Sequence, residues 1–198
     1  MADQFEQRIR KLQKVRKRSL AEMRRAQGRR IAALNDKRWE DARSAKRVVR
    51  RSRHEAQRAR RDIAVIRRAR KKASAAKRLI GKLRPAGSGL SYFDGVRCAT
   101  WIARNLAKVR AAGRWAGRLV SGFRDPRYST SLCYAMCGRP SCPGRCAGAN
   151  SNHSGIWFPA GAADVSDYIT FGAECRRLGL PLHNNLPIDR VHYSNSGH

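Results

Sequence analysis

The chain has 198 residues, with 44 Lys+Arg against 14 Asp+Glu and a formal net charge of +30. Such self-repulsion excludes an ordinary neutral globule and makes a polyanion the expected partner. Nucleic acid comes first, DNA before RNA, and no stretch is long and apolar enough to span a bilayer.

The charge is uneven. Residues 1–84 hold 31 Lys/Arg and 8 Asp/Glu, a net of +23; residues 85–198 hold 13 and 6, a net of +7. The opening MADQFEQRIRKLQKVRKR lacks an apolar h-region followed by a small-residue cleavage site, so it does not read as a secretory signal. The cytoplasm of a host cell, or a virion, is the expected location, and the six cysteines are expected to be reduced or metal-bound.

Residues 1–84 contain no proline and only two glycines, Gly28 and Gly81. Arg, Lys, Ala, Gln and Leu dominate, all strong helix formers. The expectation is a basic helical arm, fluctuating until phosphates neutralise it. Fully helical, it would reach on the order of 120 Å. Its apolar stripe (Phe5, Ile9, Leu12, Leu20, Met23, Ile31, Leu34) is thin. Arg16, Gln27 and Arg38 interrupt it, and Val48, Val49, Ile63, Val65 and Ile66 leave the register, which argues against a stable coiled coil. The residues expected on phosphates are Arg16, Lys17, Arg18, Arg24, Arg25, Arg29, Arg30, Arg47, Arg50, Arg51, Arg67, Arg68, Arg70, Lys71 and Lys72. Leu83-Arg84-Pro85-Ala86-Gly87-Ser88-Gly89 reads as a helix stop, with residues 85–89 as linker.

Residues 90–198 read as a small Cys-rich module. Tyr92, Phe93, Val96, Trp101, Ile102, Leu106 and Val109, then Trp115, Leu119, Val120 and Phe123, suggest two short amphipathic helices. Next come Cys133, Cys137, Cys142 and Cys146, spaced C-x3-C-x4-C-x3-C. Interleaved Gly and Pro allow the tight turns of a four-thiolate site, with structural zinc as first choice. An iron–sulfur cluster and a pair of disulfides are the alternatives. Cys98 and Cys175 read as ordinary semi-buried cysteines. His153 can be an added ligand, but reads first as a loop histidine. Asp164 or Ser166 is expected to cap a helix bearing Ile169, Ala173 and Leu178, stopped by Gly179 and Pro181. A short strand is expected around 186–191. The fold class is therefore mainly α: a long basic N-terminal helical arm, then a small irregular α+β, Cys-rich C-terminal module.

Gly155-Ile156, Tyr168 and Phe171, Leu178-Gly179 and Ile188-Asp189-Arg190-Val191, followed by a turn with Asn195 and Gly197, fall in a familiar order. This last quarter of the chain resembles the phage-type HNH (ββα-metal) endonucleases. The resemblance implies phosphodiester hydrolysis with a divalent cation, Mg²⁺ or Mn²⁺, and a phage or mobile-element origin. By position it implies Asp189 as metal ligand, Arg190 as phosphate clamp and His192 as base. Two departures stand out. His192 replaces the family's second Asp, and the family's Tyr-x-Pro-x-Asn element would begin only at His198, so a truncated or inactive site is also expected. The other function class the charge supports is a non-enzymatic protein, either DNA-condensing in a virion or ribosome-associated.

Overall fold

The computed structural model describes residues 2–142, 146–158, 160–185 and 189–195, without the side chains of Ala2 and Asp3. It is mainly α, with two long N-terminal helices followed by small sheets and a Cys-rich region. Two compact units divide between Lys72 and Ala73.

The first unit is a helical hairpin. Helix α1 (Ala2–Asn35) and helix α2 (Trp39–Gly81) flank a turn in which Lys37 takes φ 57°. This corrects the expectation of an extended arm, because the chain folds back on itself within the unit. The seam explains why. In α2 the buried residues are Ala42, Ala45, Ser52, Ala56, Ala59, Ile63 and Ile66, and they keep one heptad register throughout. In α1 Ser19, Ala26 and Ala33 are buried seven residues apart, in step with the half-buried Phe5 and Leu12. Small side chains at the seam let two helices pack closely. Ile9, Ile63 and Ile66, with Phe5 and Leu12, form the apolar end of the hairpin. Polar ties run across it: Ser19 Oγ donates to Glu55 (3.1 Å), Ser52 Oγ donates to Glu22 (3.2 Å), and Arg70 pairs with Glu6. The first two pairs are each equidistant from Lys37 along the chain, as antiparallel pairing requires.

The second unit begins with the end of α2. Strands β1 (Arg84–Pro85), β2 (Leu90–Phe93) and β3 (Val96–Ala99) form an antiparallel sheet in that order. Residues 85–89 thus belong to a sheet and its turn rather than to a free linker. The β2–β3 turn is Asp94-Gly95, both at positive φ (51° and 80°), the dipeptide that two-residue hairpins favour. Helix α3 (Thr100–Ala112) follows and ends at Gly113 in the left-handed conformation. The first expected helix is therefore a hairpin plus α3. The second is absent, since Trp115–Phe123 is extended chain containing strand β4 (Leu119–Ser121).

Helix α4 (Pro126–Cys137) is capped by the Asp125 carboxylate, which accepts from Arg127 N (2.9 Å), with Pro126 in the first turn. Two 3₁₀ turns, Gly148–Asn150 and Asn152–Ser154, lead to strand β5 (Ala162–Val165), helix α5 (Tyr168–Leu178) and strand β6 (His192–Ser194). The second sheet is antiparallel in the order β4-β5-β6. Asp164 lies inside β5, and the residue before α5 is Asp167, so the expected cap is corrected. Of the strand expected at 186–191, residues 186–188 lie outside the described residues; Asp189–Val191 precede β6. Ile102, Leu106 and Val109 of α3 pack with Phe171 and Cys175 of α5, Leu119, Val165 and Leu182. Cys98 and Cys175 are fully buried rather than semi-buried.

Candidate metal centre

The second sheet brings three side chains together. Asp164 is the central-strand residue, paired in register with His192 on β6 and with Ser121 on β4. Cross-strand partners share a face of the sheet. Ala163 and Val165, on the other face, are fully buried in the core. Tyr193 also faces the core, its ring 4.8 Å from that of Phe171 and its hydroxyl donating to Tyr168 O (2.7 Å). That anchor fixes the register that turns His192 toward Asp164.

His153 arrives from the second 3₁₀ turn. Its Nδ1 lies 2.5 Å from Gly122 O, and its own carbonyl accepts from Arg124 N (2.9 Å). A carbonyl can only accept, so Nδ1 carries the hydrogen and a neutral ring offers its Nε2 lone pair to the centre. Gly122 makes this approach through its missing side chain, since a Cβ there would stand 2.4 Å from Arg97 O and 2.7 Å from Cys98 Cβ.

His153 Nε2 is 3.1 Å from Asp164 Oδ1, His192 Nδ1 is 3.2 Å from the same oxygen, and the two nitrogens are 3.2 Å apart. Both histidines are buried, and the Asp164 side chain is 13% exposed. Three acceptor-type atoms in mutual contact need a hydrogen on an imidazole nitrogen or a cation among them. Burial raises the Asp164 pKa, but when protons rather than a cation join the trio, hydrogen bonds from His153 and His192 and their charges outweigh it and hold the carboxyl well below the ordinary carboxylate range. Asp164 Oδ2 accepts from Arg124 Nη2 (2.9 Å), whose guanidinium is also held on Ser121 Oγ.

The donor set fits a divalent transition metal. Ligands bound at about 2.1 Å sit roughly 3.0 Å apart in octahedral and 3.4 Å apart in tetrahedral sites, and the three atoms here fall between. Two imidazoles and one carboxylate suit Zn²⁺, Mn²⁺ or Fe²⁺ better than Mg²⁺, which prefers oxygen. The trio opens on a cavity of about 470 Å³, whose walls include Arg124, Asn150, Asn152 and Asp189.

Of the site residues expected from sequence, His192 is in the trio and is buried. Asp189 lines the cavity, and its carbonyl accepts from Asn184 Nδ2 (2.9 Å). Arg190 is exposed. The other two members of the trio are Asp164, expected as a helix cap, and His153, expected as a loop histidine. The available signal was an Asp in a short Ala-Ala-Asp-Val strand, whose apolar neighbours made it a polar residue on one face.

The cysteines form two disulfides, Cys133–Cys146 and Cys137–Cys142, with Cα separations of 5.6 and 6.8 Å. This is the disulfide alternative of the three arrangements considered. Pro143–Arg145 lie outside the described residues. Cys146 also lines the cavity.

In the hairpin, the residues expected on phosphates are exposed, apart from half-buried Arg30. Among them Arg70 pairs with Glu6 and Arg51 with Glu55 (3.4 Å). Among the described residues, no helix is long and apolar enough to cross a membrane. A comparison with protein-family models, curated proteins and solved structures returns no match.

Proposed function

We propose that this protein binds DNA through its basic helical hairpin and hydrolyses phosphodiester bonds at a divalent-metal centre held by His153, Asp164 and His192. The observation that carries the reading is the trio itself: three ligand-type atoms 3.1–3.2 Å apart, one with its tautomer set by a backbone carbonyl, on the wall of an open cavity. The net charge of +30 and the resemblance of the last quarter to HNH endonucleases supply the substrate class.

In this reading the metal supplies Lewis acidity toward the scissile phosphate and its leaving oxygen. The protein groups do the rest. Gly122 O and Arg124 N orient His153, and Arg124 holds Asp164 in place and brings positive charge to the cavity. Asp189 is the wall carboxylate available to take a proton from an attacking water. His192 serves as a ligand rather than as the base, and exposed Arg190 acts on phosphates outside the cavity. The hairpin contributes contacts that do not depend on base sequence.

Supercoiled plasmid incubated with the protein and Mn²⁺ or Mg²⁺ tests the proposal. Nicking is expected with Mn²⁺, reduced at least about a hundredfold in Asp164→Asn, a near-isosteric change that removes the ligand charge. Equal nicking by both proteins would eliminate the catalytic role. DNA binding without any nicking would favour the DNA-condensing alternative, for which the exposed basic surface of the hairpin is sufficient.

A further inference from the structure

A second cavity adjoins the metal centre. It measures about 540 Å³ and is lined by Arg97, Val120, Phe123, Arg124, Tyr128 and Leu132. Arg124 and Leu132 are also walls of the cavity at the trio. The two hollows therefore share Arg124 and Leu132 as walls.

The walls of this second cavity are chemically distinct. The Arg97 guanidinium stacks 5.0 Å over the Phe123 ring. Tyr128, in the first turn of capped helix α4, is 56% exposed, and Val120 is 55% exposed. Large apolar groups left open to water beside two arginines call for an occupant that is flat, apolar on its faces and linked to negative charge. The scaffold is firm, because Phe123 N donates to Arg97 O (2.6 Å), Gly122 packs tightly on the same carbonyl, and Asp125 caps α4.

We propose that this cavity takes the base of an unpaired nucleotide whose phosphate lies at Arg124, so that the adjoining centre acts on single-stranded or locally unpaired DNA. The proposal rests on the phosphodiester reading above and names its substrate. Aromatic rings and arginine planes hold unstacked bases regardless of sequence. A paired base is buried in its stack and cannot enter without being extruded.

The test uses the full-length protein in EDTA, which prevents cleavage, and a short DNA strand carrying 2-aminopurine, whose fluorescence falls on stacking. Quenching is expected with wild-type protein and with Tyr128→Phe. In Tyr128→Ala, quenching is expected to disappear and the Kd for the strand to rise at least about fivefold, with the Kd for the matching duplex unchanged. Wild-type quenching in Tyr128→Ala, or equal losses on strand and duplex, would overturn the proposal. A Mn²⁺ titration of the same proteins separates the two claims. Tight Mn²⁺ binding without quenching removes the base site and leaves the metal centre, whereas quenching without Mn²⁺ binding leaves the base site and removes the metal centre.

Discussion

His153 depends on a backbone carbonyl for its chemistry. The Gly122 carbonyl sets the tautomer, and the absence of a Cβ sets the Gly122 backbone. Gly122→Ala is therefore expected to push the chain after β4 away from Arg97 and release the ring. Mn²⁺ affinity should fall about 10- to 100-fold, the usual cost of losing an outer partner of a ligand, as read by calorimetric titration. Unchanged affinity would mean that the ring needs no such support. Two other residues show what burial does without function. Cys98 and Cys175 are fully enclosed, and burial pushes both thiols up to about 12. Their folded pKa lies above the unfolded value. Their contribution to stability is then complete below about pH 8.5, the free thiol value, and is lost as pH rises toward 12. Native protein at pH 8 should resist iodoacetamide at both sites, and denatured protein should be alkylated at both. Rapid modification of the native protein at either site would contradict that burial. At this scale the sequence was least legible. Asp164 and His192 are 28 positions apart, and only strand register joins them. A single chain carries no direct mark of register when the strands are three or four residues long.

Helices and strands were legible where large apolar residues or glycine marked them. The helical character of residues 1–84, a stop ahead of Pro85 and the presence of helix α5, though not its N-terminal residue, follow from composition, helix propensity and the Gly and Pro stop signals. The helical hairpin is hard to read because its seam is written in Ala and Ser, whose weak apolar signal hides a regular heptad. The β2–β3 hairpin is masked because the aromatic and apolar residues at 92–109 also fit helical spacing, and Asp94-Gly95 is the local turn signal against it. The seam makes a prediction of its own. Ala26 is fully buried, so Ala26→Leu must force the two helices apart. Overpacking of this kind costs about 1–3 kcal/mol, visible as a lower helix-melting temperature by circular dichroism. A surface change such as Arg25→Leu should not produce it. A higher melting temperature for Ala26→Leu would show that the seam is loosely packed.

The whole molecule combines two kinds of surface. One unit is a hairpin with few acids and a rank of exposed arginines and lysines; the other is a small mixed domain with a polar centre. Binding by the first should be dominated by counterion release. With roughly ten phosphates contacted, log K is expected to fall with log[salt] at a slope of about −9. A salt titration giving a slope near zero would refute a polyanion partner. The cysteines add a second global prediction. With Cys133–Cys146 and Cys137–Cys142 as disulfides, the denatured, unreduced protein should show two reactive thiols, those of Cys98 and Cys175. Six thiols, released together with zinc, would instead support a thiolate metal site.

A Mn²⁺ titration decides whether His153, Asp164 and His192 form a metal centre, because Mn²⁺ favours nitrogen and oxygen donors over thiolates. Full-length protein is expected to bind one Mn²⁺ per chain, and Asp164→Asn to bind it at least about tenfold more weakly while keeping its fold by circular dichroism. No Mn²⁺ bound, or equal binding by both proteins, would contradict the assignment and leave the trio as a proton-sharing structural cluster.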